Sequence, residues 1–477
     1  MLELPDGLVA VVKRDCPTCA MLGPVYRELA AAAELTVCSQ DDPSFPEGLA
    51  GVIDDRGLER SYRLNIETVP TLVRIEAGRE TARAVGWQRE EWQAVAGVER
   101  LGEGLPAYQP GCGSRSVLPG IAEELAVRFG GTAFRARPIE IGEWDDPVEA
   151  CFDRGWSDGL PVVPPTPARV LRMLQGTVRA ADEVIGRIPP NLAECTVEKV
   201  AINAVMAGCK PEYLPVVLAA VEAALIPEFA MHGLLCTTYF AGPVVIVNGP
   251  ITRAIGMNWA GNALGQGNRA NATIGRALQL VIRNVGGGVP GGIDRATLGQ
   301  PGKYSFCFAE DETDPTWEPL SVARGFPRGT STVTLFAGHG VLANFDQLSR
   351  TPESLLRSLA MSLFAIGHPK KVLGHDAMLV LSPEHYRIFR EAGWSRARIE
   401  AEFETVLLRP GAELARGAGG VAEGVPPEQA QGMLPKFRPG GLHIVRAGGA
   451  AGLMSGIIGG WASGERGSVP VTKEVMP

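Results

Sequence analysis

The chain has no excess of positive charge: 45 Lys and Arg stand against 53 Asp and Glu, a formal net charge of −8. With a pI near 5.5, that balance argues against nucleic acid, which selects a basic face. No apolar run reaches the length of a membrane span. Met1-Leu2-Glu3-Leu4-Pro5-Asp6 offers neither the basic start nor the apolar core of a secretory signal. A disulfide framework is missing too, since nine cysteines, an odd number, are scattered along the chain. A cytoplasmic protein without a nucleic-acid or membrane partner is the expectation. No second cysteine pair and no histidine pair accompanies Cys16 and Cys19, which argues against zinc there. Neither a metal nor a cofactor is expected.

What is present begins with Cys16-Pro17-Thr18-Cys19. It follows the apolar run Gly7 to Val12 and precedes a helical pattern through Val25 to Ala31. A strand therefore delivers Cys16 to a helix N-terminus, where unpaired N–H groups favour a thiolate. Cys19, one turn on, is placed to close a short disulfide. Downstream, Pro70 stands at the mouth of the apolar run Thr71-Leu72-Val73, where a ladder strand does not accept proline. A cis X–Pro bond accounts for that position.

On Cys16, Cys19, Pro70 and the following hairpin to Gly86-Trp87, positions 1–101 resemble the thioredoxin superfamily. The resemblance implies that Cys16 attacks, Cys19 resolves, and Pro70 is the cis-proline facing them. Asp15 stands where the family commonly has tryptophan, and an adjacent carboxylate is expected to raise the Cys16 pKa.

A chain of 477 residues exceeds one ordinary core. Residues 102–146 read as a linker carrying Cys112 and a helix from about Pro119 to Phe129. Residues 147–477 read as a large α/β or α+β domain, in one body or two lobes, because helical patterns alternate with apolar strand-like runs. The helical patterns are Thr196 to Ala207, Tyr213 to Ala224, Asn271 to Asn284 and Pro352 to Ile366. The strands are sought near Val244 to Val247, Thr332 to Phe336, Ala377 to Leu381 and Leu442 to Val445. After the last, glycines lead into an expected small-residue helix ending at Gly459-Gly460-Trp461.

Candidate sites follow from special residues. Cys112 lies in Gly111-Cys112-Gly113-Ser114-Arg115, where a hydroxyl and a guanidinium are expected to stabilise an accessible thiolate. The segment is similar to the Gly-Cys/selenocysteine-Gly-Ser patterns of some bacterial redox proteins. In the large domain, Arg154, Trp156 and Asp158 occupy a rigid loop. Asn258, Asn262, Arg269 and Asn271 crowd a glycine-rich stretch that reads either as an anion site or as helix capping and tight packing. From Asp153 onward, over most of the domain, the chain resembles an uncharacterised bacterial family with the signature Asp-Arg-Gly-Trp-(Ser/Thr)-Asp-Gly-Leu-Pro-Val-Val-Pro-Pro-Thr; Thr196 to Cys209 and Asn271 to Ala277 belong to the same resemblance, which implies no reaction.

The expected function is thiol-dependent oxidoreduction, with the Cys16/Cys19 pair exchanging with Cys112 or with a substrate held in the large domain. A small anionic or sulfur-containing substrate and a dithiol electron donor are the expected partners, and a homo-oligomer is allowed. The alternative is a non-redox lyase or hydrolase using Asp158, Glu198 or the segment bearing His368, His375 and His385. The first domain is then a regulatory or docking module.

Overall fold

A computed structural model describes residues 6–132, 134–464 and 467–476, and divides into two compact units, Met1–Ala133 and Phe134–Pro477. Both are α/β. The first unit contains β1 (Gly7–Val12), α1 (Pro17–Met21), α2 (Gly23–Ala32), β2 (Leu35–Ser39), β3 (Ile53–Asp54), α3 (Glu59–Arg63) and β4 (Thr68–Val69). It continues through β5 (Thr71–Glu76), β6 (Arg79–Val85), β7 (Trp87–Gln88), α4 (Arg89–Ala96), β8 (Tyr108–Gln109), β9 (Cys112–Gly113) and α5 (Ile121–Phe129).

β1 is buried from Leu8 to Val12, so it takes an interior place in a five-stranded sheet of order β3-β2-β1-β5-β6. It runs parallel to β2 and antiparallel to β5. An unbroken apolar strand fits only such a doubly covered position. Helix α2 buries Val25, Tyr26 and Leu29. Trp87 and Trp92, both fully buried, meet edge to face at 5.4 Å, and Tyr26 lies 6.2 Å from Trp92. Such rings dominate the burial energy of a core this small.

Residues 102–132, expected as part of a linker, belong to the first unit. β8 pairs with β7 and β9 with β4, and the Gly102 amide donates to Glu28 at 2.8 Å. The mistaken expectation has a simple cause. Two-residue strands held by non-local pairing leave no periodicity in sequence.

The second unit is built on one mixed sheet of seven strands. The path runs Cys307–Ala309, Gly242–Asn248, Thr332–Phe345, Met454–Ala462, His375–Leu381, Leu442–Arg446, with Val471–Glu474 paired to Thr332–Phe345. The strands alternate with period two: Val245 and Val247 join one cluster, Val244 and Ile246 another. Helices Val197–Ala207, Leu214–Ala224 and Arg269–Asn284 cover one end of the sheet. Helices Pro352–Leu363, Pro383–Glu391 and Arg396–Val406 cover the other.

The glycine-rich run expected as a helix is the strand Met454–Ala462. A Cβ at Gly460 would meet the Asp376 carbonyl oxygen at 2.7 Å, and one at Gly459 would meet the His339 ring at 2.0 Å. Glycine is therefore selected for close approach within the sheet, not for helix packing.

Among the described residues no single helix is long and apolar enough to cross a membrane. The bent pair Pro211–Ala224 and Pro227–Cys236 passes on length and composition, and most of its apolar side chains are buried in the core.

Candidate active site: three thiols at the Val69–Pro70 turn

Cys16 caps α1, with Pro17 at the first helical position, and the Cys19 amide donates to Cys16 Sγ at 3.4 Å. The same sulfur lies 3.5 Å from the Val69 carbonyl oxygen, to which a neutral thiol donates. The Val69–Pro70 peptide is cis. β9 places Cys112 in antiparallel register opposite Val69, and the Cys112 side chain comes within hydrogen-bonding reach of Cys16. Three thiols thus meet at one turn, two from the Cys16-Pro17-Thr18-Cys19 motif and one from β9.

Their environments differ. Cys16 and Cys19 are 1% and 0% exposed, whereas Cys112 is partly exposed. The Cys19 thiol donates to Cys16; burial opposes it, and the Cys112 thiol and the amides of Cys19 and Thr18 reinforce it. Together they bring the Cys16 pKa down to about 5. Burial, and then the hydrogen bond to Cys16, push the Cys19 thiol far up. Burial and the bond to Cys16 also raise Cys112. The arrangement is one thiolate held by two protonated thiols. Against the expectation that Asp15 raises it, Cys16 is lowered; Asp15 is exposed and its amide donates to the Asp41 carboxylate at 2.9 Å.

Ser114 and Arg115 do not activate Cys112 as expected. Buried Ser114 accepts from Gln40 Nε2 at 2.7 Å, and Arg115 donates to the Gln40 side-chain and backbone oxygens. Ser116 donates to the Ile66 carbonyl at 2.6 Å, and the Ser114 amide donates to Glu67 at 2.9 Å. These bonds clamp the chain just after Cys112. Before it, Thr18 of the cysteine motif donates to the Pro110 carbonyl at 2.6 Å.

Gly111 is required here. A Cβ on it would lie 2.4 Å from Thr68 Cγ2 and 2.8 Å from the Val69 carbonyl oxygen. Only glycine lets β9 approach β4 so closely. Thr18, Gln40, Gly111 and Ser116 were not singled out beforehand. Thr18 and Gly111 left a signal, each beside a cysteine; Gln40 and Ser116 left none.

In the second unit the candidate polar residues are engaged locally. Arg154 donates to the Ala150 carbonyl at 3.1 Å and lies 6.0 Å over the Trp156 ring. Asp158 forms a two-pronged ion pair with Arg276, both bonds 2.8 Å, and Arg276 also donates to Leu160 and Pro161. Burial raises the Asp158 pKa, but the Arg276 bonds outweigh it and hold the carboxyl below its ordinary value.

Asn271 accepts from the Asn258 amide and donates to the Asn258 and Ala263 carbonyls. Asn258 and Asn262 donate to Gly261 and Gln266, and Arg269 donates to Gly208. Glu198, 2% exposed, accepts the amides of Arg135 and Ala136 at 3.0 Å each. His385 is buried between Ser455 Oγ and the Asp346 carbonyl, His375 lies against Gly460, and His368 accepts the Lys370 amide. Among the described residues no three His, Cys, Asp or Glu side chains are grouped to hold a metal ion.

Comparisons with protein-family models, with curated proteins and with solved structures each find no match to this chain.

Proposed function

We propose that the first unit is a thioredoxin-like thiol–disulfide oxidoreductase in which Cys112 is the internal partner of the Cys16/Cys19 pair. The observation that carries this reading is the register of β9, which sets Cys112 opposite Val69 and beside a Cys16 held as a thiolate. Cys112, the most exposed of the three, gives its proton to the neighbouring Cys16 thiolate as it attacks an external disulfide; a mixed disulfide forms, and the departing substrate thiolate takes that proton back from Cys16 and leaves as a thiol. The Cys16 thiolate attacks the Cys112 sulfur, expels the second substrate thiol and leaves a Cys16–Cys112 bond. Cys19 gives up its proton and attacks Cys16, returning Cys112 as a thiol and leaving Cys16–Cys19. An external dithiol then reduces that bond. Two electrons pass from the pair to the substrate, and a reducing compartment such as the cytoplasm supplies them. Thiolate attack with a low-pKa nucleophile is the chemistry such a cluster favours.

Turnover of a small disulfide by the full chain tests the reading. Cys112→Ser should slow it at least tenfold while Cys16 remains alkylatable. Unchanged turnover would show that Cys112 is not on the path.

A further inference from the structure

The second unit holds a cavity of about 420 Å³ whose walls include three arginines, Arg387, Arg390 and Arg446, together with Asp314, Glu384 and Tyr386. That volume falls within the roughly 300–1,000 Å³ range of small-molecule sites. Arg446 ends the strand Leu442–Arg446, and Arg387 and Arg390 stand on the helix Pro383–Glu391.

The acids here are already spoken for. Arg390 pairs with Asp314 at 3.4 Å, and Glu384 accepts the Leu453 amide at 2.7 Å. The cations are only partly engaged. Arg446 is 4% exposed, its Nη2 donates to Asp311 at 2.8 Å, and its guanidinium lies 4.1 Å over the Tyr386 ring. Its Nε and Nη1 are buried without a hydrogen-bond partner. Arg387 is exposed and has no ion-pair partner among the described residues. A buried guanidinium with unmet N–H groups is costly, and the paired oxygens of a carboxylate or phosphate satisfy it best. The cavity rim also includes Ala450, in the glycine-rich turn between two sheet strands.

We propose that this cavity binds a small metabolite through an oxyanion, a carboxylate or a phosphate, with Arg446 as its anchor and Arg387 as its second cation. The site is separate from Arg154, Asn258 and Arg269, which donate to the carbonyls of Ala150, Gly261 and Gly208. It also does not depend on the thiol relay, since its test involves no redox step.

Isothermal titration calorimetry of the full chain, in buffer free of other oxyanions, uses inorganic phosphate in one arm and succinate in the other. Saturable binding of at least one is expected, and the arm that saturates names the headgroup. Arg387→Ala should weaken it about fivefold with an unchanged melting temperature, and Arg446→Lys about tenfold, roughly one lost charge-assisted bond each. Should Arg446→Lys not fold, Arg387→Ala decides. No saturation by either probe below about 10 mM, a Kd worth only about 2.7 kcal/mol, would overturn the proposal. Binding indifferent to Arg387→Ala would overturn it equally.

Discussion

Two segments of this chain look alike in sequence and behave oppositely in the structure. Gly256 to Asn271 and Gly111 to Arg115 both mix glycine with polar side chains and an arginine. In the first, Asn258, Asn262, Asn268 and Asn271 bond to backbone groups of their own loop, and Arg269 to Gly208. The loop is a self-satisfied scaffold for the start of the helix Arg269–Asn284. In the second, Ser114 and Arg115 bind distant Gln40, and the segment delivers Cys112 to Cys16. Dense polar residues mark a site only where their bonding capacity is not consumed locally.

The comparison breaks most sharply at the thiols. Cys16→Ser should lower disulfide turnover by at least about 100-fold, since the thiolate is the nucleophile. Cys209→Ser should leave turnover unchanged, because burial raises that thiol to about 12 and it has no thiolate at neutral pH. Parallel rate assays on the two variants check both.

The next effect is on stability. Arg276→Ala leaves the half-buried Asp158 carboxylate without its partner, and chemical denaturation should show a loss of about 1–3 kcal/mol. The alkylation rate of Cys16 in that variant should not change.

Gly111→Ala is comparable. Overpacking of this kind costs about 1–3 kcal/mol, and here it is relieved by moving β9 off β4. Withdrawing Cys112 removes one of the bonds that lower Cys16. The pH profile of iodoacetamide alkylation should therefore shift upward from a midpoint near 5. Asn262→Ala, in the contrasting loop, should cost about 1 kcal/mol, because its φ of 61° is a left-handed conformation that asparagine tolerates better than alanine.

The same thiolate makes stability depend on pH. The folded pKa of Cys16 lies below the unfolded value, about 5 against 9.0. Its contribution is therefore complete above pH 9 and fades as pH falls toward 5. Reduced protein should lose more stability than Cys16→Ser between those limits, measured by denaturant midpoints at each pH.

Some of this was legible in the sequence because it is local. Cys16-Pro17-Thr18-Cys19 carries its own helix start, and Pro70 its own turn. The apolar runs at Val244, Thr332, Ala377 and Leu442 are strands because continuous burial writes itself into composition. What escaped depends on non-local contacts. Met454–Ala462 reads as a small-residue helix, yet its glycines answer to His339 and Asp376 in neighbouring strands. Arg446 ends an ordinary strand, and only Asp311 and Tyr386, far away in sequence, expose its unmet donors. Cys112 drew notice for its flanking glycines, but its partner Val69 is 43 residues earlier, and only the fold reveals that pairing.

The most direct test of the account removes the resolving thiol. In Cys19→Ser the relay has no exit, so mild oxidation with a small disulfide should trap a Cys16–Cys112 bond, mapped by mass spectrometry of the unreduced digest. Its accumulation as the main product is the predicted result. A chain in which Cys16 couples only to the external thiol, with Cys112 left free, would contradict the claim that these two sulfurs are partners.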